Sequence, residues 1–243
     1  MPRRKGRQDG NSLVRSGRVY SHDPGKDPHR MSYPAYTRAE RIADGTIQVI
    51  GFLGAITGIC LLFTVVSLDL NGPLLTAVIV YAAGLLVMLA ASAAYHLAAH
   101  TPARPYLRRL DHAAIYLKIA STFTPLSVIL GTAFGYAVLA CVWVLAIFGA
   151  TVKLFKKRGK MTTGWAPYLA LGWIGVVLFI PLTAVLPGFS LAFIIAGGFL
   201  YTAGIAFYIR EKLRFSNAIW HGFTLAASAC FFLGISGALP AAP

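Results

Sequence analysis

Seven apolar runs, each about 20 residues long, constrain this chain more than any other feature of it. At 1.5 Å per residue, about 20 residues is the length a helix needs to cross a bilayer core. The runs fall at about 46–67, 74–98, 111–131, 134–152, 165–185, 189–209 and 216–238. Breakers and charges separate them: Asn71-Gly72-Pro73 after the first, Lys156-Lys157-Arg158-Gly159-Lys160 after the fourth, and Pro187-Gly188 after the fifth. The expectation is an all-α membrane protein, a seven-transmembrane-helix bundle. Pro125 and Pro181 fall inside the third and fifth runs and are expected to kink them. Gly197-Gly198 in the sixth predicts close helix packing.

The cations set the expected orientation, because Lys and Arg accumulate on the cytosolic side. Ten lie before residue 46, three follow the second run (Arg104, Arg108, Arg109), five follow the fourth and three follow the sixth. The loops after the first, third and fifth runs, and the C-terminal end, carry none. This alternation requires an odd number of spans, with the N-terminus cytosolic and the C-terminus outside. The chain is thus expected in the inner (plasma) membrane as a multi-pass protein. Residues 1–40, rich in Arg, Lys, Gly, Ser and Pro and without an apolar segment, read as a disordered basic cytosolic tail rather than a signal peptide. Residues 41–243 form the seven-helix transmembrane domain.

A net charge of +14 raises the question of nucleic acid. The charges occupy a tail and loops, and no basic face with interleaved aromatics recurs, so the expected partner is membrane lipid and not nucleic acid. The three cysteines, Cys60, Cys141 and Cys230, each sit in a separate apolar run without metal-ligand spacing. They are expected to be small buried apolar residues.

Ionisable groups inside a span are costly and are functional candidates by default. Three stand out: His96, Asp111 and His221. The expected topology puts all three near the cytosolic boundary, at the end of the second helix and the starts of the third and seventh. Ser92 and His96 are i,i+4, as are Asn217 and His221, so each pair shares a helix face. These five residues can line one cavity. Two imidazoles and a carboxylate suit Zn²⁺ with water in an open position, Asp111 being either a ligand or the group that holds the water. The same residues also fit ordinary roles, with the histidines hydrogen-bonded at the interface and Asp111 capping its helix. His112 lies about 100° round the helix from Asp111 and reads as interfacial. His22, His29 and His100 carry no expected role. Lys118, two turns from Asp111, is expected to snorkel to the surface or to line the same cavity.

These residues carry a resemblance. Ser92-Ala-Ala-Tyr-His96, Arg109-Leu-Asp111-His112-Ala-Ala-Ile-Tyr116 and Ala218-Ile-Trp-His221 resemble the haemolysin III family, within the superfamily of progestin and adiponectin receptors and alkaline ceramidases. Ala120-Ser-Thr-Phe-Thr-Pro125, Tyr168-Leu-Ala-Leu-Gly-Trp173 and Gly197-Gly-Phe-Leu-Tyr201 fit as well, and the likeness runs from about Glu40 to Phe232. It implies a seven-helix domain with a Zn²⁺ site near the cytosolic face, built from the Ser and His of the second helix, the Asp of the third and an HxxxH on the seventh. Ser92, His96, Asp111 and His221 match. Asn217 stands where the first His of HxxxH is expected, and Gln48 where the first helix is expected to carry another.

The reading that follows is a haemolysin III-like membrane protein with a Zn²⁺-dependent hydrolase-type site acting on a lipid amide. Zn²⁺ lowers the pKa of its water to about 7 and polarises the carbonyl. His96 and His221, with Asn217 at the third position, are the expected metal residues. Asp111 is the water-orienting base and Ser92 its hydrogen-bonding neighbour. Two alternatives remain open: a non-enzymatic regulator or receptor with a structural or vestigial metal, and a membrane-permeabilising protein.

Overall fold

The structure, a computed structural model, describes residues 36–66, 70–98, 101–155, 164–210 and 213–239. The basic tail to residue 35, the Lys156–Lys160 linker, His22, His29 and His100 lie outside the described residues. Among the described residues eight helices make seven spans: α1 (Arg38–Val66), α2 (Gly72–Leu97), α3 (Arg104–Leu130), α4 (Ala133–Phe155), α5 (Ala166–Trp173) with α6 (Val176–Thr183), α7 (Gly188–Tyr208) and α8 (Ser216–Ser236). Seven segments are long and apolar enough to cross a bilayer, as the runs predict.

Local chemistry explains the ends. Thr37 and Glu40 form a reciprocal capping box: the Glu40 N–H donates to Thr37 Oγ1 at 3.3 Å and the Thr37 N–H to Glu40 Oε2 at 2.9 Å. They start α1 at Arg38, well before the apolar run becomes continuous near 46. Asn71 caps α2 by accepting the Leu74 N–H at 2.9 Å, with Pro73 in the first turn where its missing donor costs nothing. Gly131, at φ +64°, closes α3 in the left-handed conformation that glycine alone takes freely.

One expectation about proline and one about cysteine need correction. α3 stays helical through Pro125. The fifth span is divided at Ile174 and Gly175, upstream of Pro181, where Gly175 donates to Gly172 at 3.1 Å and Val177 to Ile174 at 3.0 Å. These i→i−3 bonds tighten the backbone out of the α-helix at a stretch bounded by two glycines. Cys60 and Cys141 are exposed rather than buried, on outer faces where lipid takes the place of a core. Leu61, Phe148, Ile180 and Phe199 lie out there too, all more than 60% exposed. An apolar surface of that extent belongs in a bilayer.

α3 is the central helix. Two-thirds of its apolar window is buried (67%), against 17–44% for the others. It packs against α2 where Gly84 takes Ser121 so closely that a Cβ has no room, and against α4 where Gly149 receives the Tyr116 ring. α7 and α8 form the second tight pair. A Cβ on Gly197 would stand 2.8 Å from the Phe231 ring, whereas Gly198 faces open space. Only one of the two glycines therefore does the close packing expected of both.

Candidate metal centre

The ends of α1, α2, α3 and α8 that carry the site also carry most of the described cations, and they meet in one layer. α2 delivers Ser92 and His96 from its last turns, α3 delivers Asp111 from its second, and α8 delivers Asn217 and His221 from its first two. α1 adds Asp44 and Gln48, again i,i+4 on one face.

Asp44 is the hub. Its Oδ1 lies 2.5 Å from His221 Nδ1 and its Oδ2 lies 3.1 Å from His96 Nδ1. The Asn217 amide donates to Asp44 Oδ2 at 2.9 Å and lies 3.2 Å from His96 Nδ1. The two imidazoles meet edge to face with centroids 4.5 Å apart. One carboxylate oxygen and one nitrogen from each histidine all fall within 4.8 Å of one another, a group that can hold a metal ion. A tetrahedral ion with ligands at 2.0–2.1 Å holds its donor atoms roughly 3.3 Å apart, so small side-chain movements suffice to close this set on one. The side chains of Asp44, His96 and His221 are 9–11% exposed, so the group is sheltered without being sealed.

Ser92 and Asp111 lie beside this group, outside it. Gln48 Nε2 donates to Ser92 Oγ at 3.0 Å. That leaves the Ser92 O–H to donate to Asp111, which lies within hydrogen-bonding reach and within electrostatic range of His96 and Asp44. His112 is not in the metal group: its Nδ1 bonds the Arg108 carbonyl at 2.7 Å and lies 3.5 Å from Asp111 Oδ2, and its own carbonyl accepts from Tyr168 at 3.2 Å. Lys118 follows neither expected course. It is 4% exposed, and its ammonium sits 4.6 Å from the Tyr201 ring centroid and 5.0 Å from that of Phe231. Two aromatic faces at that range attract a cation, so the side chain stays inside the bundle.

The structure thus brings His96 and His221 together, sets Ser92 and Asp111 next to them, and turns the Asn217 amide N–H toward the centre. The carboxylate at the hub, Asp44, is absent from the sequence-based set. A signal for it exists: Glu40, Asp44 and Gln48 recur every fourth residue, a polar stripe leading into an apolar run. Starting the first span near 46 leaves Asp44 outside the run in which ionisable groups stand out.

The haemolysin-III related family profile matches residues 42–232, the whole stretch from α1 to α8 that contains this centre. The chain belongs to the haemolysin III family. It is 35% identical over 194 residues to Hemolysin-3 of Bacillus cereus, covering 79% of this chain and 89% of that protein. It is 32% identical over 199 residues to the Hemolysin-3 homolog of Bacillus subtilis (strain 168), covering 81% and 93%. The haemolysin III assignment made from the short motifs therefore holds over most of the membrane domain, as does the multi-pass membrane character.

Proposed function

We propose that this haemolysin III protein is a Zn²⁺-dependent membrane hydrolase that cleaves a lipid amide. The observation that carries the reading is the convergence of Asp44, His96 and His221. Two imidazoles and one carboxylate are a donor set for Zn²⁺ that leaves a fourth position open. His96, His221 and Asp44 would hold the ion, with the Asn217 amide donating to Asp44 Oδ2 beside them.

When bound, Zn²⁺ supplies Lewis acidity to a carbonyl and to water. The protein's own groups supply the rest. Asp111 takes the proton of the attacking water as its oxygen adds to the amide carbon, then returns it to the leaving nitrogen as the C–N bond breaks. The products are a carboxylic acid and an amine. Ser92, held by Gln48, orients the Asp111 carboxylate through its hydroxyl. A small cavity of about 20 Å³ lies beside the centre, with Gln48, Ser92 and His221 on its polar side and Met88, Leu89 and Leu225 on its apolar side. That volume holds a single water.

The test is metal analysis of the purified protein followed by turnover of an N-acyl amine lipid with a fluorescent acyl chain. One zinc per chain, and hydrolysis lost on chelation and on Asp111→Asn, is the expected result. Protein that purifies without metal, and takes up none on titration, refutes the reading. The alternation of basic and uncharged loops supports a plasma-membrane orientation with the centre on the cytosolic side. A reporter fused after Pro243 should read extracytoplasmic and one inside Lys156–Lys160 cytosolic; both on one side would refute seven spans. The name of the Bacillus cereus relative, Hemolysin-3, supports a second reading, membrane permeabilisation. Dye release from vesicles that persists in Asp44→Ala protein would favour it over hydrolysis.

A further inference from the structure

Neighbouring spans joined by short loops have their register fixed by the connection. α1 and α8 are the first and last spans, and no loop joins them. They nevertheless run parallel in strict register. Glu40 meets Phe215, Asp44 meets Asn217 and His221, Gly51 meets Leu225, and Gly58 meets Phe232, every pair separated by 173 to 177 positions. The centre depends on this register, because Asp44 comes from one helix and His221 from the other. A slip of one turn moves them about 5.4 Å apart and removes Asp44 from reach.

In the apolar part of the seam Gly51 and Gly58 receive Leu225 and Phe232 closely, with a prospective Cβ at 3.0 and 3.3 Å. The end of the seam is different. Glu40 is 5% exposed, and its carboxylate divides between two helices. Oε2 accepts the N–H and the hydroxyl of Thr37, both at 2.9 Å, completing the α1 cap. Oε1 accepts the Phe215 N–H at 3.1 Å. Phe215 is the residue before α8, and its side chain makes no capping bond. Its φ of +60° is the one positive value among the described non-glycine residues. A phenylalanine takes that conformation only where its surroundings impose it. The negative carboxylate also faces the positive N-terminal ends of both helices.

We propose that Glu40 is a clamp between α1 and α8 that sets the register of the metal centre, making it a positioning residue for the site. Asp44 lies one turn further along α1, on the same face as Glu40. Holding the Phe215 amide at Oε1 therefore fixes both the depth of α8 and the rotation that turns Asn217 and His221 toward Asp44. The consequence for the site rests on the metal reading, but the clamp itself is read without metal.

The experiment uses full-length protein in detergent with Glu40→Ala, Glu40→Gln and Thr37→Val. Thr37→Val removes the hydroxyl of the α1 cap and leaves the Phe215 bond intact. Glu40→Gln keeps one acceptor oxygen for Phe215. Hydrogen exchange at the Phe215 amide, in metal-free protein, should accelerate about ten-fold or more in Glu40→Ala and stay within about three-fold of wild type in the other two. Zn²⁺ titration should show binding weakened about ten-fold in Glu40→Ala and nearly unchanged in Thr37→Val, the range of effects seen when a group outside the ligand set is lost. Unchanged Phe215 exchange in Glu40→Ala overturns the clamp, and so does an equal loss of Zn²⁺ affinity in Thr37→Val. If Glu40→Ala does not fold, Glu40→Asp, which keeps the charge and withdraws the carboxylate from Phe215, is read in its place: Phe215 exchange faster than in Thr37→Val supports the clamp, and equal exchange overturns it. Wild-type protein that binds no Zn²⁺ refutes the metal reading and leaves the exchange result to decide the clamp.

Discussion

Asp44→Asn separates a metal ligand from a hydrogen-bonded neighbour more sharply than any other single change. The substitution keeps the shape of the side chain and removes its charge. In the wild type the carboxylate faces His221 at 2.5 Å, His96 at 3.1 Å and the Asn217 amide at 2.9 Å. All three contacts use carboxylate oxygens as acceptors. The amide introduced by the substitution would retain one acceptor oxygen and present an NH₂ group to whichever partner meets the other position, so at least one of the three contacts is lost or must be remade with the roles reversed. For a metal the loss is larger, because a neutral amide is a poor ligand beside imidazole. Groups outside the ligand set cost ten- to a hundred-fold in affinity when removed. Loss of one of three ligands is expected at or beyond the upper end, a hundred-fold, which is about 2.8 kcal/mol. Asp111→Asn, which alters a group beside the set, is expected to cost about ten-fold, or about 1.4 kcal/mol. The assay is Zn²⁺ competition against a chromophoric chelator, with folding checked by circular dichroism. If Asp44→Asn binds Zn²⁺ as tightly as wild type while His96→Ala and His221→Ala do not, Asp44 is not a ligand. If Asp111→Asn is the more damaging of the two acid substitutions, Asp111 belongs at the centre and Asp44 outside it.

Three further outcomes follow from the same geometry. Asn217→His should tighten Zn²⁺ binding about ten-fold, since position 217 already reaches Asp44 and His96, while lowering turnover by filling the open position of a catalytic site; unchanged affinity would mean that side chain cannot reach the ion. Lys118→Met should fold and bind Zn²⁺ within about two-fold of wild type, because replacing a buried charge by an apolar isostere is often neutral or stabilising; loss of the metal would put Lys118 in the site. Gly84→Val should lower the melting temperature, since its side chain would overlap Ser121 and such overpacking typically costs about 1–3 kcal/mol; an unchanged transition would refute the close α2–α3 contact.

The parts of this protein governed by the bilayer are plain in the sequence. A span must be long, apolar and helical, so seven runs become seven spans with ends displaced by only a few residues at most places. His96, Asp111 and His221 are conspicuous because ionisable groups are rare in such runs. The fifth span shows where that rule stops. Pro181 is the obvious breaker, but the helix yields upstream of it, at Ile174 and Gly175, where two glycines let the backbone tighten into i→i−3 bonds. Lys118 fails for a related reason. A linear sequence shows that a cation lies two turns into a span, but not that Tyr201 and Phe231, on other helices, converge on it.

Asp44 escapes a reading of the sequence for a reason that bears on how the site works. An apolar window finds the part of a helix inside the hydrocarbon, and α1 begins outside it, carried by the Thr37–Glu40 capping box. The first turns of α1 are polar because they face other polar residues, not because they face water: Glu40, Asp44 and Gln48 are 5%, 8% and 4% exposed. Each meets a partner from a helix remote in sequence, Glu40 at Phe215, Asp44 at His221 and His96, and Gln48 at Ser92. A buried polar stripe of this kind is stable only if every group along it is matched, since an unmatched one costs its full desolvation. The three rungs therefore depend on one another. Moving α1 relative to α8 breaks the first two together, and moving it relative to α2 breaks the last two. The Asp44 group, the candidate metal centre, is the middle rung of a seam whose neighbours on either side hold it in register.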